Sequence, residues 1–370
     1  MTPIKSRLLK RLEAELAAAS SSPLQAACLK VQRALLLARH GQMNEARGQL
    51  TALHQLAVQH PHPELAAWLH FAEGLMSYYT DFGGAAQQKV ARAQVIAQSV
   101  GQRELSALCS AWLAQLAYVR HDLEELIAHA RICDDQAGID HHAARFRLCT
   151  VMGLAHHLTG KVEIAQAWNA KARFHAQAEG DEASLSALMY NTAQMRVAQM
   201  RRDSLSSNAA GDHCMLLGVD SIRNYDQAVG GSVRPDLTPI LRAQILTLEG
   251  EFAEARSLFE AHLPHAMSAG LARLGSSLLA DLAWCRVNSE QPEQALQQAR
   301  EAEAEVELDP DCDVDDRAAA HSRLAQVYTA LGDAENAGRH AAKAAASWAE
   351  FAEQQALWAT ALADLGLRPR

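Results

Sequence analysis

One small residue recurs along this chain at a nearly constant interval, and that recurrence constrains the fold more than any other feature. Ala34, Gly74, Ala114, Gly153, Ala193, Ala243, Ala283 and Ala325 follow one another at spacings of 40, 40, 39, 40, 50, 40 and 42 residues. Seven residues after most of them stands a turn signal: Gly41-Gln42, Asp81-Phe82, His121-Asp122, Gly160-Lys161, Gly250-Glu251, Glu290-Gln291 and Gly332-Asp333. Five residues further come Ala46, Ala86, Leu126, Ala165, Ala255, Ala295 and Ala337. Apolar and small residues at helical spacing, a break, and a small residue one turn into the next helix describe two helices that cross at short range. A period near 40 means that such hairpins stack as an array, which removes the usual need to divide 370 residues into two or three globular domains.

The clearest unit runs from Arg323 to Ala337 and continues to Ala344: Leu324, the small Ala325, Tyr328, the Gly332-Asp333 turn, then Ala337 and Ala344 on the second helix. It resembles the tetratricopeptide repeat. The usual repeat of that family has 34 residues, so these units are longer by about six, worth roughly 9 Å of helix. Long units of this kind resemble those of bacterial transcription activators of the maltose-regulator type and of Gram-positive peptide receptors. The resemblance implies an all-α fold, a right-handed α-solenoid of about eight hairpins with a cap helix at each end.

The expected organisation is an N-terminal cap helix and linker over 1–22, repeats one to five over 23–203, an irregular connection over 204–238, repeats six to eight over 239–352, and a C-terminal cap over 353–370. The cap helix is expected near Ile4 to Ala19, ahead of Ser20-Ser21-Ser22-Pro23. The fifth unit breaks the pattern, with Arg201-Arg202-Asp203 where a turn glycine belongs. The connection after it holds Gly211-Asp212, Gly230-Gly231 and Pro235, with Pro239 just beyond it. Its segment from Ser221 to Gly231 reads either as a hinge or as a helix leaning into the binding surface. Arg196, Arg201 and Arg202 form the densest basic group and read as a solvated helix end.

Charge and composition exclude several classes. A formal net charge of −9 with no basic run argues against nucleic-acid binding, which needs a cationic face. Seven scattered cysteines without a CxxC are the usage of a reducing compartment, where the thiol packs as a small apolar group. The N-terminus interleaves Lys5, Arg7, Lys10 and Arg11 with leucines, unlike a signal peptide, and no apolar run has the roughly 18 to 20 residues of a membrane span. A cytoplasmic protein without membrane contact is therefore expected, and the resemblance implies a bacterial one.

A search for chemistry returns no expected metal or cofactor. His60-Pro61-His62, His141-His142 and His156-His157 lack HExxH spacing, and neighbours on a helix point about 100° apart. The acidic run Asp309, Asp311, Asp313, Asp315 and Asp316 has oxygen ligands at alternate positions. It has Val314 where a calcium loop bends at glycine and Ala320 where the bidentate Glu belongs, so it reads as an inter-repeat turn. Neither GxGxxG nor GxxxxGK[ST] nor GxSxG occurs, and no enzyme is expected.

The resemblance implies that the first helices line a concave groove, with lining residues one, four and five after the small residue and three and six before it. Among these positions the partner-binding candidates are Trp68, Phe71, Tyr78, Tyr79, Gln115, Tyr118, Arg147, His157, Tyr190, Gln194, Gln244, Trp284 and Gln326. Gln115, Gln194, Gln244 and Gln326 each follow the small residue directly. A primary amide can pair with a peptide backbone, and equally Gln is a good helix former on a half-exposed face. The aromatics read either as anchors for a partner's apolar side chains or as packing between repeats. Trp348, Phe351 and Trp358 could instead pair two copies through the C-terminal cap. The function implied is an adaptor or scaffold holding a peptide or helical segment of another protein. The alternative is a sensor whose array changes shape on binding a signalling peptide or small ligand.

Overall fold

The computed structural model describes residues 4–81, 85–207, 215–230, 237–271, 274–308 and 312–369. Every regular element among them is helical: α1 Arg7–Ala18, α2 Pro23–Arg39, α3 Met43–Gln59, α4 Pro63–Asp81, α5 Ala85–Ser99, α6 Arg103–Val119, α7 Leu123–Gln136, α8 His142–Leu158, α9 Val162–Glu179, α10 Glu182–Ser207, α11 Met215–Val229, α12 Leu237–Glu249, α13 Phe252–Ala266, α14 Gly275–Val287, α15 Pro292–Leu308, α16 Val314–Ala330 and α17 Ala334–Leu365. Two compact units divide them: Met1–Asn191 with Asn224–Val233 and Trp358–Arg370, and Thr192–Arg223 with Arg234–Leu357.

The periodic columns explain the pairing. Successive helices α2 and α3, α4 and α5, α6 and α7, α8 and α9 pack on each other in the first unit, as do α12 and α13, and α14 and α15, in the second. The small residue sits where the two helices of a hairpin come closest. A Cβ on Gly74 would lie 2.6 Å from Val90 Cγ2 and 3.1 Å from the Ala86 carbonyl, and Ala86 belongs to the second column. Ala46, Ala86, Leu126, Ala165, Ala255 and Ala295 are all buried and Ala337 is half-buried; of the first column Ala34, Ala114, Ala243 and Ala283 are buried and Ala193 and Ala325 half-buried, so most of both columns is core.

Six of the described first helices, α2, α6, α8, α12, α14 and α16, end in a left-handed residue that closes the turn. Gly41, Gly160, Gly250 and Gly332 have φ between 71° and 84°, which glycine adopts without strain. His121 (φ 55°) and Glu290 (φ 58°) hold the same conformation without glycine's freedom, at a cost of about 1 kcal/mol each. The Asp81-Phe82 turn lies outside the described residues.

Three elements differ from expectation. α10 runs unbroken for 26 residues through Arg201-Arg202-Asp203, because nothing there supplies a left-handed stop. α17 is one helix of 32 residues, so the last repeat's second helix and the C-terminal cap are continuous; no proline interrupts it, and its internal Gly338 leaves the helix intact. α1 begins at Arg7, capped by the Ser6 hydroxyl accepting from the Leu9 N–H (3.3 Å). Its Leu8 and Leu12 are buried in a small cluster with Leu29 and Leu36 of α2. Of the irregular connection, 208–214 and 231–236 lie outside the described residues, and α11 occupies most of the rest.

Trp358 is 1% exposed, against Tyr118 and His121 at 6.0 Å, and Phe351 is also buried. The Trp348 indole donates to Ser322 Oγ (2.9 Å). These aromatics are thus engaged within their own chain. Cys28, Cys109, Cys133, Cys149 and Cys285 are free thiols, and they and Cys312 are buried. Burial pushes the thiols of Cys28, Cys133, Cys149 and Cys285 up to about 12, so they remain protonated packing groups. Cys214 lies outside the described residues.

Candidate functional site in the first unit

Alternate helices of the first unit bring side chains to one cavity of about 150 Å³. α2 contributes Leu35 and Arg39, α4 Trp68, Phe71, Leu75 and Tyr79, α6 Leu108 and Trp112, and α8 His142, Phe146 and Arg147. The α4 set falls at i, i+3, i+7 and i+11, one face of a helix. Leu8, Arg11, Leu12 and Glu15 of α1 line the same cavity, with Glu179, Asp181 and Ser184 from the α9–α10 corner.

α1 is fastened at that corner. The Leu8 N–H donates to the Gly180 carbonyl (2.9 Å), and Gly180 is left-handed, with φ 72°. Arg7 pairs with Glu182 (2.9 Å) and reaches the Gln177 carbonyl (3.2 Å), while Arg11 pairs with Glu179. Just before α1, the Lys5 N–H donates to the Val229 carbonyl at the end of α11 (3.0 Å), and Asp226 of α11 accepts from the Ser186 hydroxyl. The Ser221 to Gly231 segment therefore packs through its second half beside the start of α1 and α10, as far as Gly230; Gly231 lies outside the described residues.

Two arginines meet the cavity in opposite electrostatic states. Arg39 pairs with Asp181, whose carboxylate also accepts from the Ser184 N–H (3.1 Å) and hydroxyl (2.7 Å). Burial opposes both charges, yet the pairing outweighs it: Asp181 is held below the usual carboxylate range and Arg39 above its ordinary value. Arg147 lies over the Trp112 ring, its guanidinium carbon 3.7 Å from the centroid. No hydrogen bond or ion pair to a described residue reaches it, and its Nε is buried without a partner. Burial lowers the Arg147 pKa; Tyr79 and Tyr78 oppose it, and nearby Arg39 adds to the lowering.

The candidates from the sequence distribute unevenly. Trp68, Phe71, Tyr79 and Arg147 line the cavity. Tyr78 stacks edge-on against Trp112 (5.5 Å) behind it, and Tyr118 packs on Trp358. Gln115 is buried, its Oε1 without a hydrogen bond, so its amide is not displayed to solvent. His157 is buried, and Tyr190 is half-buried. Gln194, Gln244, Trp284 and Gln326 belong to the second unit. There Gln326 accepts from Arg323 (2.7 Å), whose guanidinium lies 5.5 Å from the Trp284 ring.

Trp112, Arg39, His142, Phe146 and the α1 leucines were not among the candidates. The signal for Trp112 was present: it stands one helical turn after Leu108, which is six before the small residue, as are Trp68 and Arg147. No local pattern announces the α1 contacts, since Arg7 and Glu182 are 175 residues apart.

The second unit holds a buried ionic network where a solvated basic end was expected. Arg201 pairs with Asp281 (2.9 Å) and Asp316 (3.5 Å) and donates to the Ser277 carbonyl (2.8 Å). Arg323 pairs with the other oxygen of Asp281 (2.9 Å), and Arg202 with Asp315 (3.3 Å). Asp313 stands at the N-cap position of α16 without a side-chain capping bond, and Asp315 and Asp316 lie in its first turn, where the helix dipole favours acids. Asp309 and Asp311 lie outside the described residues. Among the described residues no three His, Cys, Asp or Glu side chains are grouped to hold a metal, and no helix is long and apolar enough to cross a membrane.

No protein-family model matches the chain. No curated protein matches it either.

Proposed function

We propose that this chain is a tetratricopeptide-like right-handed solenoid of about eight hairpins, a non-enzymatic interaction module that receives a helical segment of another polypeptide on its inner face. The observation that carries this reading is α1. It is a 12-residue amphipathic helix with Leu8 and Leu12 buried, lying where helices α2, α4, α6 and α8 converge their aromatic and apolar side chains. That is the contact pattern of helix-in-groove recognition, in which apolar anchors at i and i+4 enter a surface and charges outside it set the register. Here Arg7 and Arg11 set it, against Glu182 and Glu179.

A chain shortened to begin at Pro23, supplied with a synthetic peptide of residues 4–19, tests the surface directly. The peptide should bind with salt-dependent affinity, and a peptide carrying Leu8→Asp and Leu12→Asp should not. Equal binding of both peptides, or of neither, would remove the helix-receptor reading. A true partner segment should compete with the unmodified peptide.

A further inference from the structure

We propose that the cavity beneath α1 is a binding site for a small organic acid, with Arg147 as the anchor for its carboxylate and Trp68, Phe71, Leu75 and Phe146 as the wall for its apolar body.

Charge is the first ground. A cation removed from water is costly unless it is paired, and stacking over an indole recovers only a part of that cost. Arg147 has the indole of Trp112 at 3.7 Å but no carboxylate among the described residues. The neighbouring acid, Asp181, is already committed to Arg39 and Ser184. A guanidinium held flat against a ring keeps its edge free, and that edge presents the parallel N–H donors that fit a carboxylate.

Size and surroundings narrow the class. About 150 Å³ is the volume in which a dry apolar cavity accommodates a benzene ring. Leu8 and Leu12 of α1 line the same cavity as Arg147 and Trp112 and add to its apolar surface. The occupant is therefore a monocarboxylate with an aromatic or branched aliphatic body of about benzene size. This inference does not rest on helix docking: a small acid can bind under α1 whether or not a partner helix ever replaces it.

Benzoate is the probe, with benzamide as its neutral isostere, titrated against the full chain by broadening of the ligand's ring-proton NMR signals. Benzoate should bind about ten- to hundredfold more tightly than benzamide, the range expected for a charge-assisted pair. Arg147→Met should reduce benzoate to the level of benzamide with helicity unchanged, and Arg147→Lys should restore part of the difference. Equal binding of the two probes, full benzoate affinity in Arg147→Met, or no broadening at about tenfold the ligand concentrations usual for such fragments would overturn the proposal. Should Arg147→Met fail to fold, the benzoate–benzamide comparison on the unaltered chain and Arg147→Lys still decide it. A peptide with a free C-terminal phenylalanine separates a free acid from a chain terminus, and its binding more tightly than benzoate would overturn the small-acid assignment.

Discussion

Each unit of this molecule stacks an arginine over a tryptophan, and the two arginines differ in what else they touch. In the second unit Arg323 lies near Trp284 and also holds Asp281 and Gln326, inside a network where Arg201 takes the other Asp281 oxygen. In the first unit Arg147 lies over Trp112 beside a cavity and holds no acid. The same residue pair has its charge balanced by carboxylates in one unit, whereas in the other the half-buried guanidinium has only rings beside it.

The largest effect that tests this contrast is expected at Asp281, which is 1% exposed and serves two cations. Asp281→Ala would strand Arg201 and Arg323, and breaking a buried pair in this way costs about 3–5 kcal/mol. Urea denaturation followed by circular dichroism should show that loss, and a loss below about 1 kcal/mol would mean the network is not closed as described.

Asp316 provides the next test. Burial, with Asp315 and Asp313 close by, pushes it up to about 7, because Arg201 is shared with Asp281 and gives Asp316 only the longer contact. The folded chain thus retains a proton that the unfolded chain releases near the ordinary carboxylate value of about 3.9. This group's contribution to stability is present below that value and declines as pH rises toward 7. Asp316→Asn should flatten the fall in denaturation midpoint between about pH 4 and 7; an unaltered slope would assign it to other groups.

Arg147→Met is expected to behave unlike Asp281→Ala. It strands no partner, so the lost stacking and the relieved desolvation should leave stability within about 1 kcal/mol of the parent. A loss as large as that of Asp281→Ala would show that Arg147 is structural after all. The smallest effects are expected at the α1 fastening. Arg7→Ala and Arg11→Ala remove pairs whose arginines are largely exposed, each worth less than about 1 kcal/mol. Their signature should be faster proteolysis in the Ala19–Ser21 linker, with the global midpoint nearly unmoved.

Much of the helical framework was legible in the sequence because the hairpin is a local object. Ala46 and Ala86 are twelve residues from Ala34 and Gly74, close enough for periodicity to register their meeting. His121 and Glu290 were legible by position alone, since only their place in the column, and not their chemistry, marks them as left-handed. α10 was misjudged for the converse reason: an absent stop signal leaves a helix running, and three charged residues do not break one. Trp68, Phe71, Tyr79 and Arg147 stand at positions that the resemblance implies for a groove lining, whereas Asp181 and the leucines of α1 arrive through contacts spanning well over a hundred residues. Arg201 and Arg202 looked solvated because their acids stand far along the chain.

The fastening of α1 also has a consequence in time. Its anchor Glu182 lies 175 residues downstream of Arg7, so a ribosome adding about 5–20 residues per second delivers that anchor roughly ten to thirty seconds after α1 has emerged. Through that interval Leu8 and Leu12 gain the α2 leucines first and the residues of α4, α6 and α8 as those helices appear. The ionic fastening of α1 is thus completed only after the helices it packs against have been made, and until then its apolar face is held by packing alone.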